Sequence, residues 1–275
     1  MLDLFAIARA NADVIQAAFE SILAGMPSAD AATLREFENW VESEALISIN
    51  VELYVVVALL NGRRHQNTYE LAEDQSRLSG RRVEDALRER LGKYYDRRVA
   101  FDDAFNHGQK FRYGALNAGG AGLPKYAPYC VVLKEEFQSS LADVAYLPGD
   151  SLEICFSARG SFDETVVERN ATPHTHRRFL AGSECADEVL TVIRGEWPKL
   201  IGSIGRCFEA IFIGEVLLDT VNCVRLVKSE YDRMWNMAFA DFGRRSGDAE
   251  RALVDNFLQL RRAEMDGRIR LEVIT

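Results

Sequence analysis

Residues Phe111 to Glu136 read FRYGALNAGGAGLPKYAPYCVVLKEE, a glycine-rich loop running into a short apolar segment. Gly114, Gly119, Gly120 and Gly122 open backbone conformations that other residues avoid, and Pro124 and Pro128 then stiffen the path. Tyr129 to Leu133 is an unbroken apolar run with turn signals on both sides, the pattern of a buried strand. The same stretch gathers chemistry. Arg112 and Lys125 could hold an anion, Tyr113 and Tyr126 an aromatic ring, and Asn117 can both donate and accept hydrogen bonds. It contains neither GxGxxG nor a lysine followed by Ser or Thr, so it does not match a phosphate-binding signature. Two readings stay open: a ligand loop, or a tight connection whose polar residues face water.

Upstream, the pattern is helical. Leu4, Ile7, Ala8, Val14, Ile15, Ala18, Phe19 and Ile22 recur at three- and four-residue steps, predicting a helix over residues 3–24 that ends at Gly25 and Pro27. Ser28 can cap a second helix with Leu34, Phe37, Trp40 and Val41 on its apolar stripe. The run from Ala45 to Leu60 is almost free of charge and reads as buried; its β-branched content suits helix or strand, and we take it as helix. Two more helices are expected over 66–78 and 81–92, so residues 1–95 read as a helical subdomain.

Downstream of Tyr94 the texture changes to short β-rich pieces: RRVAFD, YCVVLK, DVAYLP, SLEICFS and ETVVE. Residues 184–203 return to helix, which Pro198 must kink or restart. CFEAIFIGEVLLDTVNCVRLV, residues 207–227, reads as strand, turn at Asp219-Thr220, and strand. Helices over 229–242 and 247–265 precede a closing strand, RIRLEVI, whose alternation predicts a sheet edge with one wet face. The fold class is α+β: a helical region, 1–95, packed on a small mixed or antiparallel sheet domain, 96–275, the two forming one compact unit.

Composition narrows the function. A net charge of −9 over 275 residues argues against a dedicated, nonspecific nucleic-acid binder. Arginine pairs at 63–64, 81–82, 97–98, 177–178, 244–245 and 261–262 have acids nearby and read as solvated helix faces. No apolar run reaches the roughly 20 residues that span a bilayer, and Met1-Leu2-Asp3 lacks the basic start of a signal peptide, so a cytoplasmic protein is expected. Cys130, Cys155, Cys185, Cys207 and Cys223 form no CxxC pair and read as reduced core residues.

Few constellations carry chemistry. His174 and His176 would point to one side of an extended segment, but no third ligand stands at metal-site spacing, so no metal is expected. His65 and His107 are lone histidines, and a hydrolase lacks its GxSxG elbow. Glu209 is more specific: a glutamate inside the apolar run FEAIFIGEV must be partnered, face water or border a cleft, which makes it a candidate acid or base. Glu215, beside Gly214, is the second candidate.

KYAPYCVVLKEEF, then DVAYLPGDSL, then FEAIFIGEVLLDTVNCVRLV together resemble the ADP-ribosyltransferase-like domains of bacterial toxin and phage-defence proteins, over roughly residues 95–227. The resemblance implies NAD as substrate, bound in a cleft between two small sheets, with nicotinamide stacked on aromatic residues and a glutamate holding a ribose hydroxyl. It makes Glu209 the catalytic residue, with Glu215 in reserve, and Tyr113 and Tyr126 the stacking positions. Asn117, Gly119, Gly120, Lys125 and Arg112 would complete the nucleotide site, the diphosphate falling to the cations and to loop N–H groups. The chain departs from the family in having no STS triplet, in carrying Cys207 where an arginine-directed member has Gln or Glu, and in leaving the first-strand residue open among Arg64, His65 and Arg112. Two other classes remain: an interaction or regulatory protein whose helical first third docks a partner protein, and a hydrolase of unknown class.

Overall fold

Polar and apolar residues alternate from Ile47 to Val51. In the computed structural model, which describes residues 1–203, 206–241 and 247–275, Leu46–Val51 is strand β1. Ile47, Ile49 and Val51 enter the main core, while Ser48 and Asn50 are on the other face and border a cavity. The expected helix over 45–60 is therefore two elements, β1 and a helix at Leu53–Leu60. Only Ser48 and Asn50 separate period two from a continuous apolar run here; β-branched content did not discriminate, since Val55, Val56 and Val57 lie in the helix.

The other strands are β2 (Arg112–Asn117), β3 (Tyr129–Leu133), β4 (Val144–Leu147), β5 (Thr172–Pro173), β6 (Gly202–Ser203), β7 (Arg206–Cys207), β8 (Glu209–Phe212), β9 (Val221–Val227) and β10 (Leu271–Ile274). Eight of them form one mixed sheet in the order β10-β9-β3-β1-β2-β8-β4-β5, and β6 pairs with β7. All pairs in the sheet are antiparallel except β10 with β9. The sheet is larger than the small one expected because it takes a central strand from the first third of the chain. β10 is at an edge, as its alternation predicted.

One face is apolar throughout. Ile47, Ile49, Leu116, Tyr129, Val131, Tyr146, Ala210, Phe212 and Leu226 meet Phe19, Phe37, Leu60, Phe179, Met234 and Phe257 from the helices packed over them. The other face is covered only in part, where Ala145, Leu147 and Ile211 pack against Leu4, Phe5, Phe101, Phe105 and Leu152.

Three segments expected as strands are helical. RRVAFD lies in the Tyr95–Ala104 helix, where Arg98, Phe101 and Asp102 recur at helical spacing on its buried side. SLEICFS begins with a short helix, Ser151–Ile154, and ETVVE with Glu164–Asn170; Asp150 and Asp163 cap them by accepting from Leu152 N–H and Thr165 N–H. The helix expected over 3–24 breaks at Asn11 into Leu4–Ala10 and Ala12–Ala24. Pro198 starts a new helix, Trp197–Ile201. Position 242 of the expected 229–242 helix and the Arg244-Arg245 pair lie outside the described residues.

Among the described residues no helix is long and apolar enough to cross a membrane. The arginine pairs are largely neutralised: Arg64, Arg81, Arg82, Arg98, Arg177, Arg178 and Arg261 each meet a carboxylate.

Candidate active site

Glu209 begins β8 on the partly covered face, across from Ala115 of β2 and Leu147 of β4. Ala115 leaves space on the β2 side. A methyl group at Gly114 would come within 2.6 Å of the Ser48 carbonyl oxygen, so glycine is what lets β1 and β2 close at this point. The Glu209 face carries a cavity of about 380 Å³, lined among others by Ser48, Asn50, Arg98, Tyr113, Tyr126 and Glu209. The Thr68–Ser79 and Val83–Leu91 helices, packed on each other, supply Thr68, Leu71 and Leu91 to its wall.

Only 6% of Glu209 is exposed. Its Oε2 accepts from Ser151 N–H at 2.9 Å, and Arg98 Nη2 stands 3.8 Å from Oε1. Among the described residues Oε1 accepts no hydrogen bond. Burial pushes the Glu209 carboxyl up to about 7, opposed by Arg98, reinforced by Asp150 and opposed again by Ser151, through its side chain and its N–H. Such a group is shared between its two protonation states at neutral pH.

Behind it lies a chain of charges. Arg98 stacks on the Tyr113 ring, 3.6 Å from Cζ to the ring centre, and its Nη1 is 3.8 Å from Asp102 Oδ1. Tyr113 donates to Asp102 Oδ1 and Tyr69 to Oδ2, the latter at 2.9 Å. Burial raises Asp102 to about 6 against the pull of Arg98 and the two phenols. At the cavity mouth Tyr126 is half exposed and donates to Asp150. Cys207 also lines the cavity, and burial pushes its thiol up, Glu209 and Asp150 adding to the effect.

The other expected residues have different surroundings. Arg112 lines the cavity but is buried, donating to the His65 carbonyl at 3.2 Å and to Glu70 Oε2 at 3.1 Å. Asn117 is buried and tied into its own loop, bonding Gly120 through both N–H and C=O and donating to Cys130 Sγ. Gly119 takes φ +93, and Gly119, Gly120 and Lys125 do not border the cavity; Lys125 Nζ lies over the Tyr126 ring. The loop is organised from β1. Asn50 donates to the Ala121 and Ala127 carbonyls and accepts from Leu123 N–H, and Gly122, at φ +65, passes so close that a methyl there would meet Asn50 Oδ1 at 2.3 Å. Glu215 is away from the cavity, its side chain 67% exposed and 3.6 Å from Arg64.

Arg64 is held by Glu70 and Glu215, while His65 borders the cavity, its ring driven down to about 4 by burial and by Arg112. His174 and His176 fall on a 3-10 turn rather than an extended segment, His174 facing Tyr146 and His176 facing Thr175. Among the described residues no cluster of three or more His, Cys, Asp or Glu could hold a metal.

Sequence reasoning gave no site role to Asp102 or Asp150 and read the 97–98 pair as a solvated helix face, whereas Arg98 is buried between Asp102 and Glu209. The signals were present: Arg98 and Asp102 are four apart, an ion-pair spacing once the segment is read as helix, and Asp150-Ser151 is a cap pattern.

No protein-family model matches the chain, and no curated protein matches it either. Fold and site define an α+β protein with a buried-carboxylate cleft on one face of a mixed sheet. The chemistry of that carboxylate carries the functional reading.

Proposed function

We propose that this protein consumes NAD as an ADP-ribosyltransferase-like enzyme, as transferase or glycohydrolase, with Glu209 as the catalytic carboxylate. The observation that carries the proposal is the state of Glu209: one oxygen fixed by a backbone N–H, the other without a hydrogen bond, inside a cavity of about 380 Å³. A carboxylate held this way suits a reaction whose transition state gains positive charge. When the bond between ribose C1′ and nicotinamide breaks, the electron pair leaves with the now neutral nicotinamide and positive charge develops on the ribose. A fixed negative oxygen nearby lowers that barrier. Water or an acceptor group then bonds to C1′ and loses its proton.

The cavity volume is near the lower end of the roughly 300–1,000 Å³ usual for ligand pockets, which suits the nucleoside end of a dinucleotide rather than the whole. Tyr126 and Tyr94, half exposed on its lining, offer ring faces to a flat heterocycle.

Incubation with NAD and detection of free nicotinamide, with and without protein extract as acceptor, tests the proposal. Release is expected from the parent, and Glu209→Gln, which keeps size and removes charge, should lower turnover about a hundredfold or more while the protein stays folded. No release under either condition would turn the reading toward a partner-binding protein. Because the carboxyl titrates near 7 and acts ionised, kcat/KM should rise through a limb near that pH.

A further inference from the structure

Arg98 bridges two carboxylates without belonging to either. Its guanidinium is 3.8 Å from Glu209 and 3.8 Å from Asp102, and lies over the Tyr113 ring. Asp102 cannot turn aside, since each of its oxygens takes a tyrosine hydroxyl. Arg98 in turn is buried, and its Nη1 has no hydrogen-bond partner among the described residues. The cation is thus a shared charge rather than a bonded clamp.

We infer that Arg98 is a positioning residue for Glu209: stacked on Tyr113 and divided between Glu209 and Asp102, it sets how much negative charge the Glu209 carboxylate carries and which way its free oxygen faces. This rests on the reading of Glu209 as the acting carboxylate. Two features of the site give the arginine this role rather than that of a core ion pair. The planar fork spans both carboxylates at once, which an ammonium cannot do, and the ring beneath fixes its plane. And Asp102 competes for the same charge, so whatever strengthens its hold weakens that on Glu209.

Glu209 also faces Asp150 and the Ser151 N–H from the capped turn, Cys155 at the end of that turn, Cys207 of β7, Tyr126 from the loop and Tyr113 of β2. Of these only Tyr113 also touches Arg98 and Asp102; the others are not substituted when Arg98 and Asp102 are varied, so differences between variants report on the arginine and the ring beneath it.

The test is a carboxyl titration by NMR with carbon-13-labelled glutamate, the Glu209 signal being assigned by its loss in Glu209→Gln. In Arg98→Gln the Glu209 midpoint should rise by about one unit or more, because the attracting charge is gone. In Asp102→Asn it should fall, because the arginine then serves Glu209 alone. Arg98→Lys should lie between parent and Arg98→Gln. Unchanged midpoints, or movement in the same direction in Arg98→Gln and Asp102→Asn, would overturn the inference. Should Arg98→Gln not fold, Asp102→Asn and Arg98→Lys keep opposite expected signs and still decide. Nicotinamide release by the parent is scored separately, so the NAD reading and the arginine's role fail independently.

Discussion

Glu209 was legible as a residue because an acid in an apolar strand requires an explanation, and its burial beside Arg98 gives one. Arg98 itself was not legible, since its meaning depends on Tyr113 and Asp102 arriving from other elements. Asn117, Gly119 and Gly120 attracted a ligand role by type alone, yet the loop satisfies Asn117 internally and Asn50 from β1 organises the rest. Asn50→Ala removes three hydrogen bonds from that loop and should cost about 1–3 kcal/mol in denaturant-midpoint stability. A pH experiment probes Glu209 further. Its folded value near 7 lies above the ordinary 4.5, so between these values the native state binds the extra proton and stability from this group falls as pH rises. Asp102 acts in the same sense, while His65 and His174, both lowered to about 4, act in the opposite one. Glu209→Gln isolates the first: relative to the parent, it should gain about 2–3 kcal/mol between pH 5 and pH 8 in urea denaturation. A constant difference across that range would mean that the carboxyl titrates as in the unfolded chain.

Elements were read well where the pattern had length and poorly where a few residues decided. Tyr129–Leu133 and the Asp248–Met265 helix follow their periodicity. The segments at 97–102, 151–154 and 164–168 are β-rich in composition but helical, because capping aspartates and three- and four-residue spacing outweighed propensity. The start of the Thr68–Ser79 helix shows how one element holds a site wall. Asn67 and Glu70 form a capping box, and Glu70 also receives Arg112 and Arg64. Arg112, expected from sequence to contact an anion, therefore has a partner inside the wall. Arg112→Ala should lower the melting temperature, by about 1–3 kcal/mol in stability, the cost being limited because Arg64 still neutralises Glu70. An unchanged melting curve would show that the buried pair contributes nothing.

On the scale of the molecule, the α+β class followed from the change of texture near Tyr94, but the position of β1 did not, because strand order is a long-range property that no local pattern encodes. β1 is paired on both sides, by β2 and β3, with Gln138 accepting from Ile47 N–H, whereas β10 has a neighbour on one side only. Hydrogen exchange followed by mass spectrometry should find 46–51 among the slowest peptides and 271–274 faster; rapid exchange across all of 1–95, with slow exchange beyond it, would instead mark the first third as a separate folding unit. The central place of β1 also bears on how the chain is made. On the ribosome β1 emerges more than sixty residues before the first of its partners, Ala115 to Asn117, and still longer before Tyr129 to Val132. Through that interval a β-branched segment has two open edges, the condition in which nascent chains pair with the wrong strand or with one another, so yield from translation should respond to chaperone supply more than the stability of the finished protein would suggest.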